Sequence, residues 1–217
     1  MKTLFLFDFD GTVMNTEPAI LASFRHLFET YRTVDEFTPQ LQVEVLGPSL
    51  QTEIPKLFPD EDVNKLIPEY IEYQKTQARR LIHPFDGAKE LLSYLQKHNV
   101  PTGIFTTRLH QSLVEILKEQ DMEDCFSILI GRDDVEKEKP DPEGIRKAMA
   151  TLSTERCVYT GDSAMDVLAG RAAGAFTIGI VTNEGKRSAI VNAGPDAVIT
   201  HLDEIYGLID THPQWIG

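Results

Sequence analysis

The amino-acid sequence predicts an α/β fold, a doubly wound parallel sheet flanked by helices, with a helical domain inserted near the N-terminus. From about residue 88 onward, short apolar runs alternate with segments of helical periodicity, as in strand–helix–strand units with parallel strands. Between residues 16 and 81, apolar residues recur at helical spacing, and we find no apolar strand run with turn signals. We therefore expect a core domain of residues 1–15 and 82–217 and a helical domain of residues 16–81.

The length and composition are those expected of a globular protein in a reducing compartment. The 217 residues suffice for a core domain and a small accessory one, and 41% hydrophobic with 25% charged residues is ordinary. A net charge of −13 argues against nucleic-acid binding, although a local cationic site can still bind an anion. Two cysteines, the lack of a membrane-length apolar stretch and a first apolar run that stops at Asp8 predict a cytoplasmic protein without a signal peptide.

The first predicted strand is the apolar run Leu4-Phe5-Leu6-Phe7, short enough to be buried on both faces of a sheet. Asp8 and Asp10 follow it, and Gly11 and Thr12 come next. A buried strand that ends in paired acids is costly unless a cation or a reaction needs them. Both acids are expected at the carboxyl end of the strand, where open α/β sheets bind ligands. The alternative is a purely structural Asp-Gly-Thr turn.

Four helices are predicted in the insert. Thr16 is a plausible N-cap of the first, Gly47-Pro48 ends the second, and Pro55 weakens the third. Their apolar positions fall within residues 20–31, 41–46, 50–58 and 66–73, the last helix running towards Leu81.

The core resumes after a return linker at residues 83–87. Asp141 is a reasonable N-cap for one of its helices, and Gly174 closes another. Predicted strands cover residues 102–106, 126–130, 157–159, 176–180 and 197–200. Predicted helices cover residues 88–98, 111–120, 142–152, 164–173 and 202–209.

Polar groups follow two of these strands. One such strand is followed by Thr106, Thr107 and Arg108. A hydroxyl and main-chain N–H groups at a strand-to-helix turn can bind phosphate oxygens. A pair of threonines that caps the next helix explains the same residues equally well. Asp162 ends another strand, and Asp166 lies one helical turn further on. Carboxylates at such a turn suit Mg²⁺, which prefers oxygen ligands, whereas the structural alternative is a helix start capped by Asp162 or Ser163.

These motifs, in this order, resemble those of the haloacid dehalogenase superfamily of phosphatases with a helical cap. The resemblance rests on Asp-Phe-Asp-Gly-Thr at residues 8–12, Thr-Thr-Arg at 106–108, Lys-Pro-Asp-Pro at 139–142 and Gly-Asp-Ser-x-x-Asp at 161–166. It implies a Rossmann-like core, an inserted cap that covers the site and selects the substrate, and Mg²⁺ as cofactor. The core is most similar to the phosphoglycolate phosphatase and pyrophosphatase-like branch.

The resemblance also implies roles for single residues. Asp8 would attack phosphorus, Asp10 would act as general acid and base, and Lys139 rather than the competing Lys137 would neutralise nucleophile and phosphate. The residues implied at the metal are Asp8, Asp10, Asp162 and Asp166, the last of them through water or by positioning Lys139; those implied at the phosphate and substrate are Thr106, Thr107, Arg108, Lys139 and, in the cap, Ser49.

Two of these assignments have alternatives that the residues themselves leave open. Relatives often have Asn and Lys where this chain has Thr107 and Arg108, which leaves the substrate less certain than the chemistry. Gly47-Pro48-Ser49 resembles the same branch, but it also reads as a helix-ending turn.

The predicted activity is Mg²⁺-dependent hydrolysis of a small, phosphoglycolate-like phosphate monoester through an aspartyl-phosphate. The alternatives are a phosphosugar mutase of the same fold, similar to β-phosphoglucomutase, and a non-catalytic binding module. A haloacid dehalogenase is disfavoured, because the acids suit a metal and phosphate. The expected partner is a small phosphorylated metabolite, with neither nucleic acid nor membrane; the substrate and the oligomeric state stay open.

Overall fold

The computed structural model of the protein describes residues 2–216. These residues divide into two compact units. The first consists of residues 2–14 and 84–216, and the second of Asn15–His83. Among the described residues, no helix combines the length and the apolar character needed to cross a lipid bilayer.

Within residues 2–216, eight strands form two sheets. They are β1 (Thr3–Phe7), β2 (Met14–Asn15), β3 (His83–Pro84), β4 (Thr102–Phe105), β5 (Ile128–Ile130), β6 (Arg156–Gly161), β7 (Phe176–Ile180) and β8 (Ala197–Ile199). Six of them form one sheet in the order β5-β4-β1-β6-β7-β8, with parallel pairing throughout, and β2 pairs with β3. The predicted α/β class with a parallel sheet is therefore confirmed.

The second unit is helical and has a hydrophobic core of its own. Its helices are α1 (Glu17–Tyr31), α2 (Pro39–Glu44), α3 (Leu50–Leu57) and α4 (Val63–Tyr73). The last continues as a π-helical turn, Gln74–Ala78, and a 3-10 turn, Arg79–Leu81. Buried aromatic rings form much of this core, with ring centroids 5.0 Å apart for both Phe24–Tyr70 and Phe28–Phe58.

In the described part of the chain, six further helices flank the large sheet. They are α5 (Ala88–Lys97), α6 (His110–Glu119), α7 (Glu143–Thr151), α8 (Ala164–Ala173), α9 (Arg187–Asn192) and α10 (Glu204–Thr211). The limits of α8 follow from its ends. The Ser163 hydroxyl accepts from Asp166 N at the start, and Gly174 ends the helix with φ of +75°, a conformation that costs glycine little.

The central strand β1 positions the site. All five of its residues are buried, as expected for a strand covered on both faces. Phe7 pairs with Ile104 of β4 on one side and Thr160 of β6 on the other. Because all three strands are parallel, their carboxyl ends meet at one edge, and the segments that follow them come together there.

Some predicted boundaries shift. β5 begins at Ile128 rather than at residue 126, because a 3-10 turn at Glu123–Cys125 runs into Phe126. Pro142 is the N-cap of α7, although the Asp141 carboxylate still accepts from Glu143 N at 3.0 Å. The six-residue α9 was not predicted; Ile190 is its one buried residue, so it leaves no periodic apolar pattern.

Candidate active site

The chain places the predicted acids and Lys139 at the carboxyl edge of the large sheet. Asp8 directly follows β1, Asp162 directly follows β6, and Asp166 lies in the first turn of α8. Lys139 comes from the segment between β5 and α7. All four side chains are buried. Residues as far apart as 8 and 166 in the chain therefore share one dry, charged site.

Lys139 links two of these acids. Its Nζ lies 2.7 Å from Asp8 Oδ1 and 2.6 Å from Asp166 Oδ1. The ammonium also lies over the rings of Phe105 and Tyr159, 5.2 and 5.7 Å from their centroids. Charge-assisted hydrogen bonds and cation–π contacts of this kind are strongest where water is excluded. Lys139 is thus held with its charge against Asp8.

Asp166 is oriented by several donors. The Tyr159 hydroxyl donates to Asp166 Oδ1 at 2.9 Å, and the Ser163 main-chain N–H donates to Oδ2 at 3.1 Å. The Ser163 hydroxyl also donates to Oδ2, at 2.5 Å. Because Lys139 also donates to Oδ1, both carboxylate oxygens of Asp166 accept hydrogen bonds from other residues of the protein. Asp166 therefore acts in this structure as a support for Lys139.

Asp162 has a different cation. Lys186 Nζ lies 2.5 Å from Asp162 Oδ2, and the Lys186 side chain is only 10% exposed. Gly11 packs against the same carboxylate: its φ is +77°, and a Cβ at this position would lie 2.1 Å from Asp162 Oδ2. Only glycine fits both the backbone conformation and the space. The Asp-Gly of the opening motif thus allows the close approach of the loops after β1 and β6.

Asp10 is held by Arg108. Arg108 Nη2 donates to Asp10 Oδ1 at 2.6 Å, and Arg108 Nε lies 3.2 and 3.1 Å from the two carboxylate oxygens. The guanidinium also donates to Ser112 Oγ at 3.0 Å and lies 5.8 Å from the centroid of the Phe9 ring. A planar fork of donors suits a carboxylate, or a phosphate, better than a lysine would.

The remaining predicted site residues are Thr106 and Thr107 after β4 and Ser49 in the second unit. Thr106 is buried after β4; its N–H donates to Ile130 O at 3.0 Å, and its hydroxyl accepts from Arg108 N at 3.2 Å. Thr107 is half-buried beside it. Ser49 belongs to the second unit, where it is the N-cap residue of α3 and its Oγ lies 3.0 Å from Thr52 Oγ1.

One group of carboxylates among the described residues fits a metal ion. Oxygens of Asp8, Asp162 and Asp166 all lie within 4.8 Å of one another, and all three residues are buried. Hard oxygen ligands in a small buried cluster are what Mg²⁺ prefers. The carboxylate of Asp10 is not in this cluster and binds Arg108 instead.

The charges in the cluster do not balance without an added cation. The three carboxylates face two ammonium groups, Lys139 and Lys186, which leaves one negative charge in excess. Burial raises the pKa of Asp8 to about 8; the charge of Lys139 opposes this rise, and Asp166 and Asp162 add to it. A divalent cation would offset the burial and the smaller repulsion from Asp166 and Asp162 that raise this pKa.

The pKa values of the other two acids of the cluster move in opposite directions. Burial acts to raise the pKa of Asp166, but Lys139, with hydrogen bonds from Ser163 and Tyr159, brings it below its usual value. Burial raises the pKa of Asp162 against the opposing charge of Lys186.

Both lysines respond to the acids around them. Burial acts to lower the pKa of Lys139, but Asp166 and Asp8 raise it above the ordinary lysine value. Burial also acts to lower the pKa of Lys186, but Asp162, together with Asp166 and Asp8, raises it above the ordinary lysine value.

Two residues of the site were missed from the sequence. Tyr159 is an apolar-looking strand residue whose hydroxyl reaches Asp166. Lys186 follows β7, the strand next to β6 in the sheet. Lys186 could have been predicted from the sequence, because a polar group after a buried parallel strand is expected at the same edge as Asp8 and Asp162.

The family profile of haloacid dehalogenase-like hydrolases matches residues 5–180, more than half of the chain. The chain belongs to the haloacid dehalogenase-like hydrolase family. The matched range contains all four motifs from which the resemblance was inferred, so the family and the hydrolase class predicted from the sequence are confirmed.

Known proteins resemble the chain along nearly all of its length. Pyrophosphatase PpaX of Halalkalibacterium halodurans is 29% identical over 206 residues, which are 94% of this chain and 95% of that protein. A haloacid dehalogenase-like hydrolase of Bacteroides fragilis superposes with a TM-score of 0.85 at 26% identity, covering 94% of this chain and all of that one. A predicted phosphoglycolate phosphatase of Haemophilus somnus gives a TM-score of 0.83 at 18% identity, covering 95% and 97% respectively, and shares the fold.

Proposed function

We propose that this hydrolase is a Mg²⁺-dependent phosphatase that cleaves a small phosphate monoester through an aspartyl-phosphate at Asp8. The observation that carries the proposal is the contact of Asp8 with Lys139 at 2.7 Å, at the edge of a buried three-carboxylate cluster. A nucleophilic carboxylate beside a fixed positive charge can approach an anionic phosphate without full repulsion.

Asp8 performs the first displacement in this proposal. One of its carboxylate oxygens forms a bond to phosphorus while the bond from phosphorus to the leaving oxygen breaks, which gives an acyl phosphate and an alcohol. Lys139 offsets charge on the transferring oxygens, and Asp166 keeps Lys139 in place. The Thr106 hydroxyl accepts from Arg108 N and still has its own proton to donate to a phosphate oxygen.

Asp10 moves the protons. It protonates the leaving oxygen in the first step, and in the second it takes a proton from the water that attacks phosphorus and releases Asp8. In this structure Asp10 is paired with Arg108, so that pair must loosen for Asp10 to act. An anionic substrate supplies the reason, because its phosphate competes for the guanidinium.

Mg²⁺ is the cofactor that the cluster fits. Asp8 and Asp162 would hold it, with Asp166 in support, and a bound Mg²⁺ would supply positive charge for the phosphoryl oxygens. We do not propose the Asp10 carboxylate as a metal ligand, because its oxygens face Arg108.

The second unit is proposed to select the substrate. Asn15–His83 is inserted directly after the segment that carries Asp8 and Asp10, and it has its own hydrophobic core. We propose Ser49 as one of its specificity residues, together with Thr107 and Arg108 of the first unit. Two cysteines, one buried and one half-buried, are compatible with action in the reducing cytoplasm.

Inorganic pyrophosphate is a second candidate substrate. It is favoured by the similarity to a protein named pyrophosphatase over 94% of the chain, at 29% identity. The same residues serve, except that the leaving group is a phosphate, which needs less help from a general acid than an alcohol does.

The test is a panel of phosphate esters, including phosphoglycolate and sugar phosphates, with pyrophosphate beside them, assayed for released phosphate in Mg²⁺ and after exhaustive EDTA treatment. We expect release that requires Mg²⁺. Asp210→Asn, a change of an exposed acid in the same unit, is the matched control for Asp8→Asn. Rearranged sugar phosphate without released phosphate would show a mutase, and no turnover of any compound would overturn the proposal.

A further inference from the structure

Lys186 carries a charge that is largely shielded from solvent and that the proposed reaction does not use. It ends a 3-10 turn, Glu184–Lys186, in the loop between β7 and α9. Its ammonium lies 2.5 Å from Asp162 Oδ2, and the two side chains are 10% and 4% exposed. A lysine this deeply buried is rare unless its charge is paired.

The partner of Lys186 is one of the two acids proposed to hold the metal. Lys139 donates to Asp8 and Asp166, whereas Asp162 has its ammonium contact with Lys186. A buried carboxylate without a counter-charge is strongly destabilising. Lys186 therefore supplies, in the metal-free protein, part of the positive charge that a bound divalent cation would bring.

Both cations cannot use the same oxygen of Asp162 without cost. A Mg²⁺ ion lies about 2.1 Å from a ligand oxygen, so it would stand within about 5 Å of an ammonium hydrogen-bonded to that oxygen. Repulsion at this range is weakly screened where water is excluded. The lysine side chain is flexible, and Glu184 and Gly185 before it are exposed. The ammonium can therefore move towards solvent.

We propose that Lys186 is a tethered competitor of the divalent cation: its ammonium holds Asp162 in the metal-free protein and leaves the carboxylate when the cation binds. The inference rests on the metal site of the proposed function. Its consequence is a site that stays folded and ordered without metal, at the expense of metal affinity.

The first test measures Mg²⁺ binding by isothermal titration calorimetry on EDTA-stripped protein. Lys186→Gln removes the competing charge, so we expect Mg²⁺ to bind about tenfold more tightly than to wild type, the change that about 1.4 kcal/mol produces. In EDTA the same variant should melt at a lower temperature than wild type. Lys97→Gln, which removes an exposed lysine charge, should change neither quantity.

The second test uses the wild-type protein and does not depend on how any variant folds. Brief acetylation of lysines, quantified by peptide mass spectrometry, should modify Lys186 slowly in EDTA and faster in saturating Mg²⁺. Lys97 should be modified at the same rate in both conditions.

The outcomes separate this inference from the metal site itself. If wild type binds Mg²⁺ but Lys186→Gln binds it equally or more weakly, Lys186 does not compete with the metal and the inference is wrong. Unchanged or slower acetylation of Lys186 in Mg²⁺ would also overturn it. If neither protein binds Mg²⁺, the proposed metal site fails, and this inference fails with it.

Discussion

Asp8 and Asp10 lie two positions apart after the same strand, yet they have different surroundings. The side chain of Asp8 is 9% exposed and contacts the ammonium of Lys139, whereas that of Asp10 is 19% exposed and contacts the fork of Arg108. A nucleophile gains from a dry, charged setting, while a residue that exchanges protons with substrate and water needs access to both. The difference in surroundings therefore supports the separate roles proposed for the two carboxylates.

The largest effect is expected from Asp8→Asn. An amide cannot replace a carboxylate in attack on phosphorus, so turnover should fall by about 10⁵-fold or more, as for other enzymes that lose a nucleophile. Steady-state release of phosphate in saturating Mg²⁺ measures it. Turnover within tenfold of the Asp210→Asn control would contradict the role of Asp8.

Asp10→Asn is expected to cost less, and its cost should depend on the leaving group. Lost proton transfer is worth about 10²–10⁴-fold in turnover. With p-nitrophenyl phosphate, whose leaving group needs no proton, formation of the acyl phosphate should be nearly as fast as in wild type. Rapid-mixing measurements of p-nitrophenolate test this, and an equal loss for alkyl and p-nitrophenyl esters would argue against Asp10 as the acid.

The pKa of Asp8 predicts how the stability of the metal-free protein depends on pH. The pKa rises from 3.8 to about 8 on folding, so the folded protein keeps a proton that the unfolded chain releases. The stability that this provides is fully present below pH 3.8 and is lost as the pH rises through about 8.

Asp8→Asn does not titrate and provides the comparison. In EDTA, the melting temperature of wild type should therefore fall relative to that of Asp8→Asn as the pH rises through this window, with a constant difference above it. Thermal melts across the pH range are the measurement. Parallel curves for the two proteins would show that Asp8 keeps its ordinary pKa.

The smallest expected effects come from the residues that hold Asp166 beside Asp8 and Arg108 beside Asp10. Tyr159→Phe removes a buried hydrogen bond to Asp166 and should lower the free energy of unfolding by about 1.5–3 kcal/mol. Ser112→Ala removes a half-buried contact to Arg108 and should cost less than about 1 kcal/mol, because water can replace it. Urea unfolding in EDTA measures both, with Tyr206→Phe as a control; equal costs would contradict the difference in burial.

The sequence predicted the sheet and the location of the acids well, for a physical reason. Buried parallel strands are often continuous apolar runs, so β1 could be recognised directly, and the carboxyl ends of such strands meet at one edge. Asp8 and Asp162 could therefore be expected near each other. The C-terminal end of α8 was predicted correctly because Gly174 marks it.

The pairing of charges could not be predicted in this way. Which cation faces which acid depends on side-chain reach in three dimensions, and the sequence does not show that Arg108 contacts Asp10 or that Lys186 contacts Asp162. The choice of Lys139 over Lys137 came from the family resemblance. In the structure Lys139 is buried against two acids, while the side chain of Lys137 is 72% exposed.

The central claim is that Asp8 forms the covalent bond and Asp10 moves the protons, and one measurement tests it most directly. Both Asn variants are mixed with p-nitrophenyl phosphate in Mg²⁺, quenched in acid within milliseconds, and analysed by peptide mass spectrometry for a phosphoryl group on the 2–14 segment. We predict that Asp10→Asn accumulates the adduct at Asp8, because activation of water becomes the slow step, and that Asp8→Asn shows none. An adduct in Asp8→Asn, or wild-type turnover by Asp10→Asn without accumulation, would contradict this assignment of roles.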